Sequence, residues 1–445
     1  MPSLAATTWT LPSSADDRFH GRLPTKGFLS YPPPPPEPVT LAEAGVSADE
    51  VEGLVLKTLL HLGPTVGSGV AAEVCLSRSI VDATLDQLRD GLQVAIKGTA
   101  GLNDFVYHLT EAGHSNAQRR VERARYTGPA PAPLAAYEAA IRKQSLRRAR
   151  LSVPDLGKAL SDLTLRHEFL GQVAQAIHDG RGMFLYGPPG NGKTTIAERV
   201  VDAFGQHIWI PKMVSVGGDL VRLYDPSCHE AFNPPGLDAQ RYDRRWVLIR
   251  RPTVVAGGEL ALDQLDASFQ AALGVSEAPI QLKANGGALL VDDFGRQRVS
   301  SEEILNRLIV PLEKGVDHLS LASGRRIQTP FEQLFILSTN LAPRELVDEA
   351  FLRRIPYKIE VQGPTQDQFR SLVRRLAEGM RYEVSAESID YLLREHYAQS
   401  ERALRFCHPR DLLRQACNYC EVHELPKVVT RDVWDVAVRN YFVGL

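Results

Sequence analysis

The sequence predicts a parallel-sheet α/β domain built around a glycine-rich loop, followed by an all-helical C-terminal segment and preceded by a small α+β domain. Three observations predict this. The stretch Phe184 to Thr195, FLYGPPGNGKTT, sets a glycine-rich loop between an apolar run and an amphipathic segment. Residues 152 to 364 alternate short apolar runs with amphipathic helices, the pattern of a sheet covered by helices. From 365 to 445 the pattern is helical throughout, in TQDQFRSLVRRLAEGM, AESIDYLLREHY, PRDLLRQACNYCEVH and TRDVWDVAVRNYF.

Composition sets the bounds. The 445 residues are 44% hydrophobic and 23% charged, an ordinary globular balance with room for two or three domains. A formal net charge of −2 gives no general attraction to nucleic acid or an anionic membrane. Five cysteines, an odd and sparse count, suit a reducing compartment. The N-terminus MPSLAATTWTLPSSADD lacks the basic and apolar regions of a signal peptide, and no run approaches the length of a membrane span. A cytoplasmic protein is expected.

Residues 1 to 40 hold nine of the 29 prolines, including Pro32 to Pro36. That composition predicts a disordered leader, or alternatively a docked proline-rich ligand in the polyproline II conformation. Residues 41 to 127 predict the small domain. In ADEVEGLVLKTLLHL, Val51, Leu54, Val55 and Leu59 share one helical face. GSGVAAEVCLS and RSIVDATLDQLRDGL read as two more helices, and QVAIKG with DFVYHLT as a short hairpin. In RSIVDATLDQLRDGL, Ile80, Val81, Leu85 and Leu88 are the core-facing set. Three helices and a hairpin in this order, with the ending YHLTEAG, resemble a winged helix. GPAPAP, Gly128 to Pro133, marks a linker within 128 to 151, followed by a helical stretch from Ala135 to Arg150 whose basic residues form a solvated face.

The α/β domain carries the chemistry. Gly187-x4-Gly192-Lys193-Thr194 lies between the strand GMFLYG and a helix with Ile196, Ala197, Val200, Val201 and Phe204 on one face. Glycines let successive backbone N–H groups converge on phosphate oxygens, and a helix N-terminus adds partial positive charge. The candidate ATP-binding residues are Gly187, Pro188, Pro189, Gly190, Asn191, Gly192, Lys193, Thr194 and Thr195. Lys193 can reach the β and γ phosphates, and the Thr194 hydroxyl can ligate Mg²⁺. ALLVDDFGRQ is an apolar strand ending in two acids. Asp292 suits holding Mg²⁺ through water, and Asp293 suits orienting or deprotonating the attacking water. LFILSTN is another such strand, and Asn340 at its end can hold the same water or simply cap a turn.

Residues 152 to 445 resemble an AAA+ ATPase, with phosphate loop, Walker B, sensor 1, AFLRRIPYKIEV and CHPRDLLR in the family's order. The resemblance implies a nucleotide-binding domain at 152–364, a lid at 365–445, ATP hydrolysis and a homo-oligomeric ring, usually of six. AFLRRIPYKIEV looks like the arginine-finger segment, with Arg354 aligning best and Arg353 the alternative. Pro409–Arg410 looks like sensor 2, which places Arg410 on the γ-phosphate. ANGGALLVDDF, and a hairpin turning at Ala322 to Arg325 before sensor 1, are similar to MoxR-like, magnesium-chelatase-like and enhancer-binding ATPases, and the best match among these is the MoxR-like group of predicted ATPases with chaperone-like activity. Residues 212 to 285 exceed a minimal core and leave room for a pore-facing insertion. The family's second Walker B acid is usually glutamate, and aspartate at 293 implies slow hydrolysis or a deeper water.

Cys417-x2-Cys420-x2-His423, with Cys407 and His408 nearby, invites a zinc reading, but Cys417, Cys420 and His423 lie on one lid helix with no second ligand pair at zinc-finger spacing. Buried helix cysteines are the expectation.

Two functions compete: an ATP-driven remodeller of a protein client, and a DNA-bound ATPase using the winged helix. A slow-turnover nucleotide switch is a third. Charge separates the first two. Residues 41 to 128 carry 11 acids and 8 bases, net −3, and the candidate recognition helix sets Arg78 and Arg89 against Asp82, Asp86 and Asp90. The basic cluster Arg119, Arg120, Arg123 and Arg125 follows the wing. DNA affinity comes largely from neutralised phosphates, so the protein remodeller is expected over the DNA reader.

Overall fold

The computed structural model describes residues 31–146, 151–161, 163, 165–180 and 182–442. The leader expected at 1–40 therefore falls mostly outside the described residues.

Five strands form one parallel sheet in the spatial order Thr253–Ala256, Ala288–Val291, Leu334–Thr339, Met183–Tyr186, Tyr357–Glu360. Parallel strands with helices on both faces must be apolar on both faces, and Ala288–Val291 and Leu334–Thr339 are buried at every position. Successive side chains point to opposite sides. Leu290 and Ile336 pack with Ile196 and Val200 of the helix Lys193–Asp202. Leu289 and Leu337 pack with Ile304 and Leu308 of the helix Ser301–Lys314. Each such side chain contributes about 1.5–3 kcal/mol on burial. Met183–Tyr186, earliest in sequence, lies between the two latest strands. The loop that follows it therefore opens at the point where strand order reverses, where open α/β sheets bind ligands.

The C-terminal helices are Gln366–Met380, Ala386–Tyr391 continuing through a π-helical Leu392–Ala398, Cys407–Val422 and Arg431–Tyr441. Trp434 is fully buried among them and donates its indole N–H to Ser388 Oγ at 2.8 Å. Cys417 and Cys420 are part of this core, and burial pushes the Cys417 thiol up to about 11. Among the described residues no group of three His, Cys, Asp or Glu could hold a metal.

Toward the N-terminus, helices Ala48–Leu62, Gly67–Val74 and Arg78–Asp90 pack on an antiparallel sheet of Thr65–Val66, Asp104–Leu109 and Val94–Gly101, followed by the helix Glu111–Arg123. Ser47 and Glu50 cap the first of these helices reciprocally. Ile80, Val81, Leu85 and Leu88 are buried. Arg120, read as part of a basic cluster, is held by Asp49 at 2.7 Å.

Residues 212 to 285, the stretch longer than a minimal core requires, are ordered strands and turns that pack within the chain. They hold the N-terminal elements. Met213–Val216 pairs with Asp219–Arg222 on one side and with the linker strand Ala132–Pro133 on the other. Met213 and Val275 join the apolar cluster of the N-terminal helices. The linker helix is shorter than its sequence suggests, Leu134–Lys143, and residues 147–150 lie outside the described residues.

The proline run is docked rather than free. Pro32 O accepts from Trp209 Nε1 at 3.0 Å, Pro35 O accepts from Asp243 N at 2.9 Å, and Tyr31 packs edge-on against Phe232. Polyproline backbone keeps its carbonyls outside any internal hydrogen bond, so they are available to a partner surface on the same chain.

One buried ion pair joins these parts. Arg245 and Asp243 side chains are 4% and 5% exposed and 2.8 Å apart. Arg245 also donates to Ala44 O at 2.7 Å and Pro131 O at 2.9 Å. Asp243→Ala leaves this guanidinium buried without its counter-charge. It is expected to cost about 3–5 kcal/mol, read as a lowered denaturant midpoint at unchanged slope.

Candidate nucleotide-binding site

The phosphate loop starts where the strand Met183–Tyr186 ends. Gly187 sits at φ +134°, and a Cβ there would come within 2.7 Å of Val361 O, so no other residue fits. The helix Lys193–Asp202 begins at Gly192, itself left-handed at φ +79°. The first-turn N–H groups of that helix have no partner within it and face the loop.

The sheet brings three chemistries to this point. Lys193 Nζ donates to Asn340 Oδ1 at 2.7 Å, to Gly187 O at 2.9 Å and to Pro188 O at 3.2 Å. Thr194 Oγ1 donates to Asp292 Oδ2 at 2.8 Å. Asn340 Nδ2 donates to Asp293 Oδ1 at 3.0 Å. Parallel pairing explains the convergence. Ala288–Val291 and Leu334–Thr339 run in register, so Asp292–Asp293 and Asn340 leave the sheet at the same edge as the loop. Burial lowers the Lys193 pKa; Asp292 and Asp293 oppose that shift and Arg405 adds to it.

A cavity of about 660 Å³ opens here. Pro189, Gly190, Asn191, Gly192, Lys193, Thr194 and Thr195 line it from the loop, with Asp292, Asp293 and Asn340 from the strand ends and Arg410 from the lid. Gly187 and Pro188 contribute carbonyls to Lys193 from behind the lining. Arg410 reaches the rim with a 65%-exposed side chain and pairs with its neighbour Asp411 at 3.1 Å. Arg354 lies away from this cavity. Its Nε donates to Glu313 at 2.7 Å and its guanidinium lies over Phe351. Arg353 is exposed on a second hollow, beside Arg344 and Lys358.

Several lining residues escaped the sequence reading. Leu163, Leu165, Leu372, Leu376 and Phe406 give the cavity an apolar lining suited to a planar base, and Arg296 and Arg375 add positive charge. Leu372, Arg375 and Leu376 are spaced as one face of a helix, which was legible in RSLVRRLAEGM. Their aim at the phosphate loop was not.

The donor set fits the groups the sequence implies. The Thr194 hydroxyl and Asp292 carboxylate are hard oxygen ligands of the kind Mg²⁺ takes. The cavity lining combines apolar side chains with Lys193 and arginines, as a nucleoside triphosphate requires.

Asp293 has a left-handed backbone, φ +47°. Asp and Asn tolerate that conformation better than Glu, because the short polar side chain can bond locally. Here is a physical reason for aspartate where the resembled family has glutamate.

A family model described as "Domain of unknown function (DUF8689)" matches residues 365–440, the C-terminal helices. No curated protein matches the chain. Among solved structures, the RuvB Holliday junction branch migration motor of Thermotoga maritima is similar at 12% identity and TM-score 0.38, over 67% of this chain and 74% of that one. NtrX from Brucella abortus is similar at 12% identity and TM-score 0.41, over 65% of this chain and 59% of that one. A complex of the magnesium chelatase subunits BchI and BchD is similar at 17% identity and TM-score 0.33, over 62% of this chain and 92% of that one. Likeness this distant leaves the assignment to the chain's own topology. The phosphate loop lies at the reversal of a five-stranded parallel sheet, an α/β arrangement with the C-terminal helices beside the loop.

Proposed function

We propose that the chain binds ATP with Mg²⁺, hydrolyses it, and uses the cycle in a homo-oligomeric ring, six-membered by preference, to remodel a protein client. The observation that carries the reading is the convergence of Lys193, Thr194–Asp292 and Asn340–Asp293 in one cavity. Lys193 and the loop N–H groups hold the phosphates. Mg²⁺, when bound by Thr194 and Asp292, supplies charge neutralisation at the β and γ oxygens. Asp293, oriented by Asn340 Nδ2, holds the attacking water and takes its proton. Arg410 lies at the cavity rim, from where a lid movement brings it to the γ-phosphate.

Lys193→Ala is expected to abolish ATP binding, measured by titration of a fluorescent ATP analogue. Wild-type affinity in that variant overturns the assignment.

The N-terminal elements, winged-helix-like in our reading, serve protein docking. Both arginines of the helix Arg78–Asp90 are occupied: Arg78 by Asp82 and Asp104 at 2.9 and 2.8 Å, Arg89 by Asp86 at 2.9 Å. Each would have to leave an acidic partner to neutralise a phosphate, and each phosphate contact not made removes about one unit of salt slope. Because Met213 and Val275 complete the apolar cluster of these helices, the full chain is the species to test. Its binding to mixed duplex DNA at physiological salt is expected to be weaker than micromolar. Tighter, steeply salt-dependent binding puts the DNA-bound reading first.

A further inference from the structure

The tip of the phosphate loop is fastened to the lid. Asn191 is 4% exposed and uses both ends of its amide. Nδ2 donates to Val361 O at 3.2 Å, where the last sheet strand leads toward the lid. Oδ1 accepts from Phe406 N at 3.3 Å. Phe406 precedes the lid helix Cys407–Val422 and has no capping side chain of its own. The loop asparagine therefore satisfies one of the N–H groups that a helix start leaves unpartnered. The adjacent residue repeats the contact: Cys407 N donates to Gly190 O at 2.9 Å. Gly190 is left-handed at φ +82°, and a Cβ there would collide with Cys407 Sγ, so loop and helix meet backbone to backbone. Arg410 lies one turn further along that helix, on the same face as Cys407, and both line the cavity.

We propose that Asn191 is a positioning residue that couples the phosphate loop to Arg410, so that the conformation of the loop sets where that guanidinium stands. The inference rests on the nucleotide-binding reading above. Phosphates held by the loop fix Gly190 and Asn191, and these two fix the start of the lid helix. The cavity then distinguishes a triphosphate from a diphosphate through a lid residue that the loop has placed.

The test is a double-mutant cycle in the full-length chain, in the Asp293→Asn background so that ATP persists. ATP and ADP are titrated with Mg²⁺ against the parent, Asn191→Ala, Arg410→Ala and the double variant. Each single change is expected to lower the preference for ATP over ADP by up to roughly tenfold, the value of one hydrogen bond or a little more. If Asn191 acts through Arg410, the double variant is no worse than the worse single. Multiplying penalties, or an unchanged preference in Asn191→Ala, overturn the proposal. A parent that binds neither nucleotide overturns the reading beneath it instead. A second measurement needs no change in the loop. Hydrogen exchange at the Phe406 and Cys407 amides is expected to be slower with ATP than with ADP, and Arg410→Ala is expected to remove that difference. Equal protection with both nucleotides counts against the coupling even where Asn191→Ala fails to fold.

Discussion

Arg354→Ala is expected to lower ATP turnover by about 10³- to 10⁵-fold, the range for an arginine finger, while nucleotide affinity stays close to wild type. The expectation follows from position. Arg354 ends the helix Glu349–Arg354, away from the cavity of its own chain and paired with Glu313 at 2.7 Å. A residue so placed does not touch its own nucleotide, so a large loss of turnover has to come through a neighbouring subunit. The Glu313 pair is partly exposed, and its loss alone is worth about 0–1 kcal/mol, far too little to mimic the effect. Steady-state assays of Arg353→Ala serve as the comparison. A steep loss there with little in Arg354→Ala moves the finger to Arg353, the exposed neighbour on the second hollow. Mixing Arg354→Ala with Asp293→Asn subunits is expected to restore part of the activity, since some interfaces then hold both intact halves. No recovery at any ratio, in a preparation shown to be oligomeric, removes the trans role.

Asp293→Asn is expected to keep ATP binding and lower turnover by about 10²- to 10⁴-fold, the usual worth of a positioned general base. The substitution isolates chemistry from folding. Asn holds the left-handed backbone at φ +47° as readily as Asp, and its amide oxygen can still accept from Asn340 Nδ2. What it lacks is the carboxylate that takes a proton. Single-turnover assays beside equilibrium titration read the two quantities separately. Turnover near wild type removes Asp293 from the role of base, and joint loss of binding and turnover makes it a structural residue of the site. The same variant is the natural trap for affinity capture of a protein client.

The candidate nucleotide site was legible because its motifs are local in sequence. GPPGNGKTT needs only a strand before it and a helix after it, and both show in the periodicity of GMFLYG and of Ile196 to Phe204. Asp292–Asp293 and Asn340 were legible as polar ends of apolar runs, since a buried parallel strand becomes polar where it leaves the sheet. The lid helices were legible from apolar spacing alone.

Contacts across long sequence separations were not. Composition predicted a free leader at Pro32–Pro36, yet whether such a run is free depends on what it meets, here Trp209 and Asp243 more than 170 residues on. The length of 212 to 285 was visible, but the partner of its strands was not, because register with Ala132–Pro133 is decided by backbone pairing. Asn191 read as one more loop residue. Only the tertiary structure turns its amide to Val361 and Phe406, the latter 215 residues away in the chain. The sequence by itself determined which groups make up the candidate nucleotide site, because periodicity and motif spacing carry that information locally. The tertiary structure alone decided what those groups are fastened to, because hydrogen bonds and ion pairs between distant segments form only after folding has placed them within 3 to 4 Å of each other.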